Sequence, residues 1–278
     1  MIWAVILLTW EGAYRVIGWK AYQFPAPSHV LDSTLDMLNI RSYFGQPLHS
    51  GWPWRPDDQP PDTRVRPPIY RSPLVVAQLV SGTRLAVGFS ISILIGATLG
   101  LLMWRWRGVD EFFGPLFLGM QTLPSVCWIP MAILTFGINE SGILFVLVMG
   151  SCFAIAIALR DGLRTIPPVY QKAGLMLGAG GWRLYRYVLL PASLPAMTSS
   201  LRQGFSFAWR SLMGAELIFM VWNHGLGFLL HVGREFSDIS QVIAVMAMMV
   251  IVGMIVDRWV FAVLEKRVHA RFGLSAGR

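Results

Sequence analysis

Residues 160–195, RDGLRTIPPVYQKAGLMLGAGGWRLYRYVLLPASLP, form a hydrophilic, basic island between long apolar segments, and the fold is read outward from it. The island reads as two short helices. Pro167 and Pro168 suit a first helical turn, where a missing N–H costs nothing, and Val169 to Leu177 continues until Gly178-Ala179-Gly180-Gly181 breaks it. Trp182 opens the second helix, Pro191 is expected to end it, and Pro195 marks where the next apolar run begins. Ala173, Gly174, Leu177 and Gly178 share one face of the first helix, so a partner can approach its backbone closely. Lys172, Arg183 and Arg186 add positive charge.

Composition excludes an ordinary soluble domain. The 278 residues are 55% hydrophobic and only 14% charged, against about a quarter charged in soluble chains. A polytopic, all-α membrane protein is expected. Cys127 and Cys152 both lie in apolar runs and offer neither a disulfide framework nor metal-ligand spacing. The net charge of +8 fits arginines gathered on the cytoplasmic side of a membrane protein better than a nucleic-acid partner.

Taken in order, residues 1–19 read as a first membrane helix in which Glu11 and Arg15, four apart, can pair. A cleaved signal peptide is the competing reading; the lack of a basic start and of a small-x-small site weighs against it. Residues 20–73, with GWPWRPDDQPPDTRVRPP at their centre, are too proline-rich for a span or a regular helix and read as an extracytoplasmic loop. It is either a solvated linker or, given Trp52 and Trp54, a docking or gating element. Residues 74–264 hold the core spans: Leu74 to Trp106; Val109 to Ile138, interrupted by Pro115, Pro124 and Pro130; Gly142 to Leu159; Ala196 to Trp222; and Gln241 to Leu264. Leu74 to Trp106 is long enough to cross a bilayer. Asn223 to Ser240 reads as a polar loop and residues 265–278 as a basic cytoplasmic tail. With about six spans, the island, both termini and the Arg105/Arg107 turn fall on one side, which the positive-inside rule makes cytoplasmic.

The island resembles the cytoplasmic coupling loop of permease subunits in bacterial ATP-binding-cassette (ABC) importers. That pattern is Glu-Ala-Ala, a Gly four residues after the last Ala, and an aliphatic-x-Leu-Pro ending thirteen residues later. Lys172-Ala173-Gly174, Gly178 and Val188-Leu189-Leu190-Pro191 fit the spacing, with Lys172 in place of the family's Glu and Gly174 in place of its second Ala. The similarity extends over roughly Leu74 to Leu274, including QTLPSVCWIPMAILTFGINES, towards the nitrate, sulfonate, taurine and bicarbonate branch. It implies a type I importer permease in the bacterial plasma (inner) membrane. The implied partners are a second permease (homodimer, or heterodimer with a related chain that retains the Glu), two cytoplasmic ATPase subunits and an extracytoplasmic solute-binding protein. ATP and Mg would be bound by the ATPase subunits and no cofactor by this chain.

No Walker-type loop, GxGxxG, HExxH or GxSxG is present, so no catalytic residue is expected. His224 and His231 lack accompanying ligands at metal-binding spacing. A DNA-reading helix-turn-helix is disfavoured because the adjacent spans would pin it against headgroups. The candidate ATPase-coupling residues are therefore Lys172, Ala173, Gly174, Leu177, Gly178, Arg183 and Pro191. For the translocation path, intramembrane polar groups come first. Glu216 either contacts solute or pairs with Arg202 or Arg210. Gln121, Thr122, Pro124, Ser125 and Trp128 form a second set around a proline that frees backbone groups. Met246, Met248, Met249 and Met254 read as packing surface. A secondary transporter driven by an ion gradient is the alternative, although paired broken helices are not evident, and a membrane enzyme or scaffold is the remaining class.

Overall fold

The structure, a computed structural model, describes residues 2–17, 24–38, 72–221 and 224–271. GWPWRPDDQPPDTRVRPP, with Trp52 and Trp54, and the last seven residues lie outside the described residues. In order, the elements are α1 (Ile2–Ile17), α2 (Pro27–Met37), α3 (Pro73–Arg105), α4 (Arg107–Thr122), a 3₁₀ turn (Ser125–Trp128), α5 (Ile129–Phe136), α6 (Glu140–Arg164) and α7 (Pro168–Met176). There follow α8 (Trp182–Leu184), a π-helical turn (Tyr185–Leu189), α9 (Leu190–Ile218), α10 (Leu226–Glu235), α11 (Ile239–Val256), a second π turn (Asp257–Phe261) and α12 (Ala262–Arg271). Among the described residues the fold is all-α.

The helices α3, α6 and the combined run Ile239–Val268 are long and apolar enough to cross a bilayer. The pair α4 and Ser125–Phe136 is bent by 102°, the geometry of a broken span or of a re-entrant loop. By length and apolarity three of the about six expected spans, or four with the bent pair, are present among the described residues; α1, at 16 residues, is shorter than a span. Of the three prolines expected to interrupt the run Val109 to Ile138, Pro124 alone lies at the bend. Pro115 is accommodated inside α4, and Pro130 sits in the first turn of α5, where its missing N–H costs nothing.

Three expectations about connections are corrected. The region 20–73 does contain a regular helix: α2 starts with Pro27 in its first turn, and no proline interrupts the residues that follow within it. The supposed polar loop 223–240 contains α10, whose Leu226, Leu229 and Val232 are buried. Helix continues through both Pro191 and Pro195. For Pro191 the reason is the π turn immediately before it, since a local π adjustment reroutes the backbone hydrogen bonds that a proline would otherwise orphan.

The chain divides into two compact units. The larger contains residues 84–215 and 251–278. Within it α3 packs on α6 through small residues: a Cβ on Gly96 or Gly100 would stand 2.6 Å from the carbonyl oxygen of Cys152 or Ala156. Backbones approach this closely only where side chains are small, which is how membrane helices gain packing contacts without a hydrophobic drive. Ser151 donates to Ser92 at 2.7 Å across the same seam. An aromatic core joins Phe117, Phe153 and Trp128. At the far end, buried Arg84 forks onto Glu140 with distances of 2.7 and 2.6 Å. At the island end, Asp110 of α4 receives both Arg160 and Arg164 of α6, at 3.0 and 2.7 Å. Bidentate and shared carboxylate pairing of this kind fixes helix register.

The smaller unit contains residues 1–83 and 216–250. In it α1 and α2 form a hairpin: Glu11 accepts from Arg15 on its own helix and from Ser28 of α2. Its α10 and α11 meet at a tight corner. The N–H of Ser237 bonds Arg234 O and that of Asp238 bonds Gly233 O, the two bonds of a Schellman C-cap. Ser237 occupies the left-handed position of that cap, with φ 56°.

Candidate functional site

The island folds into a short helix, a glycine turn and the start of a long helix. Pro168 lies in the first turn of α7. The helix closes through a second Schellman motif, in which Gly178 N–H bonds Leu175 O at 3.0 Å and Ala179 N–H bonds Gly174 O at 2.9 Å. Gly178 is the left-handed residue, φ 78°, and nothing lies within 4 Å of the place its Cβ would occupy. A glycine is required there by backbone conformation rather than by space.

Gly174 has the opposite role. It is buried, and a Cβ on it would stand 2.6 Å from Leu184 Cδ1 and 3.0 Å from Val188 Cγ2. It therefore seats α7 against α8 and the π turn. This corrects the expectation for Gly174, which faces inward rather than towards a partner; Gly178 forms the turn and stays exposed. Ala173 and Leu177 are exposed, as are Lys172 and Arg183, while Pro191 is half-buried inside the continuous helix. Of the two residues that most define the outer surface, the pattern singled out Leu177 but not Met176. Met176 is 90% exposed and Leu177 86%, with Val169, Tyr170 and Leu175 also bare. A contiguous apolar patch on the polar end of a membrane protein marks a protein contact. The signal was present in the sequence as VY and LML flanking the small residues.

At the bend, Thr122 donates to Gly119 O at 2.6 Å, and the N–H of Cys127 reaches Pro124 O at 2.9 Å. Thr122 and Pro124 are exposed, Ser125 is half-buried, and the Gln121 side-chain oxygen is enclosed without a hydrogen-bond partner. Ser125 and Ser211 of α9 both press on Gly150 of α6, and Val126 approaches Gly214 of α9. Trp128 lies on Phe153, in the aromatic core rather than beside the other four.

Glu216 is buried in the smaller unit. Ser81 Oγ–H donates to its carboxylate, at 2.9 and 2.7 Å from the two oxygens, and the N–H of Gly227 donates to Oε2 at 3.1 Å. The expected pairing with arginine is corrected. Arg202 goes to Asp257, at 2.7 and 2.8 Å, and to Glu265 at 3.0 Å, and Arg210 bonds Ser206 O and covers the Phe207 ring. His224 stacks on Phe228 at 3.8 Å, and His231 lies 3.8 Å from Glu235.

Among the described residues the protein is all-helical, with apolar helices long enough to cross a membrane, a sharply bent helix pair and an exposed apolar tip on α7. Residues 92–270 match the family described as binding-protein-dependent transport system inner membrane component. The chain belongs to that family, and so is a transport subunit rather than an enzyme. It is 30% identical over 185 residues to a putative ABC transporter permease of Methanocaldococcus jannaschii, covering 66% of this chain and 69% of that protein. The bicarbonate transport system permease of Synechococcus elongatus is 29% identical over 182 residues, covering 66% and 65%. The nitrate import permease of Synechocystis is 28% identical over 265 residues, covering 95% and 86%. Among solved structures, a chain of the MetNI methionine ABC transporter in inward-facing conformations superposes with a TM-score of 0.57 at 19% identity, covering 70% of this chain and 95% of that one. The fold is that of type I ABC importer permeases.

Proposed function

We propose that this chain is one membrane-spanning half of an ATP-driven importer for a small anion, located in the bacterial plasma (inner) membrane. The observation that carries the proposal is the tip of α7: Met176 and Leu177 stand bare while Gly174 clamps the helix onto Leu184 and Val188 at the root of α9. An ATPase groove that accepted Met176 and Leu177 would move α7 and the long helix together. Two permease chains, two cytoplasmic ATPase subunits and an extracytoplasmic solute-binding protein complete the assembly. ATP and Mg belong to the ATPase subunits. The nitrate and bicarbonate relatives support a small, oxygen-rich anion as cargo. Gln121, Thr122, Pro124 and Ser125 are the candidate path residues at the bend. Glu216, enclosed by Ser81 and Gly227, serves the architecture rather than the solute.

The test is co-purification with the cognate ATPase in nanodiscs, comparing the intact chain with Met176→Asp and Leu177→Asp. The intact chain should retain the ATPase and support ATP turnover. Both variants should lose it while the chain remains folded, because their side chains touch nothing within the protomer that folding requires. An intact chain that binds no ATPase, with uptake abolished by a protonophore and indifferent to ATP depletion, would establish gradient-driven transport instead.

A further inference from the structure

Helix α9 carries two arginines at membrane depth, and they are treated differently. Arg202 is neutralised by Asp257 and Glu265. Arg210 has no carboxylate within ion-pair distance among the described residues. Its Nε–H donates to the Ser206 carbonyl at 3.0 Å and its guanidinium carbon lies 4.7 Å from the Phe207 ring centroid, so the charge is held against its own helix and left exposed.

The depth of Arg210 follows from its neighbour. Trp209 packs on Gly253, its Nε1 standing 3.4 Å from the place a Cβ would occupy. Gly253 is the fifteenth of the 30 residues in the span Ile239–Val268 (253 − 239 + 1 = 15). About 22 Å of helix therefore lies on either side of that level, so a run centred on the membrane carries Arg210 near mid-bilayer.

Arg210 is also not isolated in sequence. Ser199, Gln203, Ser206 and Arg210, at steps of four, three and four, form one face of α9, and all four are exposed. The opposite face, with Gly204, Ala208, Leu212 and Ala215, is buried against the bundle. One turn above Arg210, Gly214 meets Val126, and Ser211 meets the Gly150 notch shared with Ser125, so the stripe runs beside the bend. A polar stripe with an arginine lacking a counter-ion is not stable facing hydrocarbon. It calls for water and a mobile anion.

We infer that Ser199, Gln203, Ser206 and Arg210 line the translocation path, with Arg210 as the cation that selects for anions at its midpoint. The inference rests on the importer reading above and deepens it, because it gives that path a specificity-determining residue. An oxyanion passing the stripe exchanges water for the hydroxyls and amide of Ser206, Ser199 and Gln203 while the guanidinium offsets its charge. A fixed carboxylate at the same place would trap the arginine and abolish the attraction, which is the state of Arg202.

The test uses thiol reagents of opposite charge on the chain in membrane vesicles, with its ATPase expressed alongside. Exposed Cys127 is first replaced by serine; Cys152 is buried and stays. Single substitutions Ser206→Cys, Gln203→Cys and, as an apolar surface control on α3, Leu94→Cys are treated with anionic sulfonatoethyl and cationic trimethylammonioethyl methanethiosulfonates. The first two sites should react and the control should not. The anionic reagent should be favoured about tenfold over the cationic one, as a single nearby charge in a partly hydrated channel would give. Arg210→Gln should remove that preference and Arg210→Lys should retain it. If positions 203 and 206 are as inert as position 94, or if the charge preference survives Arg210→Gln, the inference is overturned. ATPase co-purification is scored on the same vesicles. Its absence defeats the importer reading alone, since labelling is read on the chain whether or not an ATPase is bound.

Discussion

Ser81 and Glu216, 135 positions apart, jointly cap the first turn of α10. The N–H of Leu226 donates to Ser81 Oγ at 2.9 Å, that hydroxyl donates to Glu216, and the N–H of Gly227 donates to the same carboxylate at 3.1 Å. The residue at the cap position, Gly225, has no side chain to do this. A buried helix start otherwise leaves its first N–H groups unsatisfied, and a carboxylate there also meets the positive end of the helix dipole.

Removing the shared cap should therefore cost stability before it costs transport. Glu216→Ala strands one buried N–H and the Ser81 hydroxyl, a loss of about 2–3 kcal/mol. Thermal unfolding in detergent should show it, and Ser81→Ala should show a smaller loss. Uptake per folded molecule should keep its KM in both. A raised KM at unchanged melting temperature would instead make Glu216 a solute ligand.

Gly178 tests the Schellman turn at the tip of α7. Its left-handed φ is the whole requirement, since a Cβ has room there. Gly178→Asn should be milder than Gly178→Ala, with the alanine costing about 1 kcal/mol or more of local order. The fraction of ATPase co-purifying should fall in the order Gly, Asn, Ala. Any other order means that the position acts through contact with the ATPase rather than through backbone conformation.

At Gly174 the prediction concerns a pair. Gly174→Ala restores the alanine of the family pattern, yet its Cβ would stand 2.6 Å from Leu184 Cδ1. The single substitution should lower the melting temperature by overpacking, at about 1–3 kcal/mol. Combined with Leu184→Ala it should be partly rescued, with a coupling above about 0.5 kcal/mol in a double-mutant cycle. Strict additivity would show that the two side chains do not meet.

Ser237 predicts a gain. It holds φ 56° at the corner between α10 and α11, a conformation that costs an L residue about 1 kcal/mol. Ser237→Gly should raise the melting temperature in detergent, measured on the purified chain. An unchanged or lower value would mean that the greater freedom of glycine in the unfolded chain cancels the relief.

What was legible in the sequence was what depends on neighbouring residues. Pro167-Pro168 announced the start of α7 and the glycine run its end, and the apolar runs gave the main spans. Pro124 was marked as a break because its ring and missing N–H act within a turn. Pro191 misled because the π turn that rescues it is a property of five residues whose side chains carry no distinctive code. The partners of Glu216 were hidden because Ser81 lies in another span, and sequence proximity favoured Arg210 instead. Gly174 and Gly178 look alike in the pattern; only the folded contacts separate a packing glycine from a turn glycine. Helix α10 was missed because its apolar residues sit between His224, Arg234 and Glu235 and read as part of a polar loop.

The π turn before Pro191 has a mechanical consequence. Because it keeps the rod unbroken, Trp182 and Arg210 belong to one helical beam, extending through Ile218 for 37 residues (218 − 182 + 1 = 37), about 55 Å. No slack loop lies between the place where α7 presses, at Leu184 and Val188, and the charged stripe. A sideways thrust delivered to α7 must either pivot the whole beam or bend it at Tyr185–Leu189, where widened hydrogen bonding makes it most compliant. That five-residue stretch sets how stiffly the beam answers a push on α7, so tightening or loosening it should change how far the beam swings without altering either end.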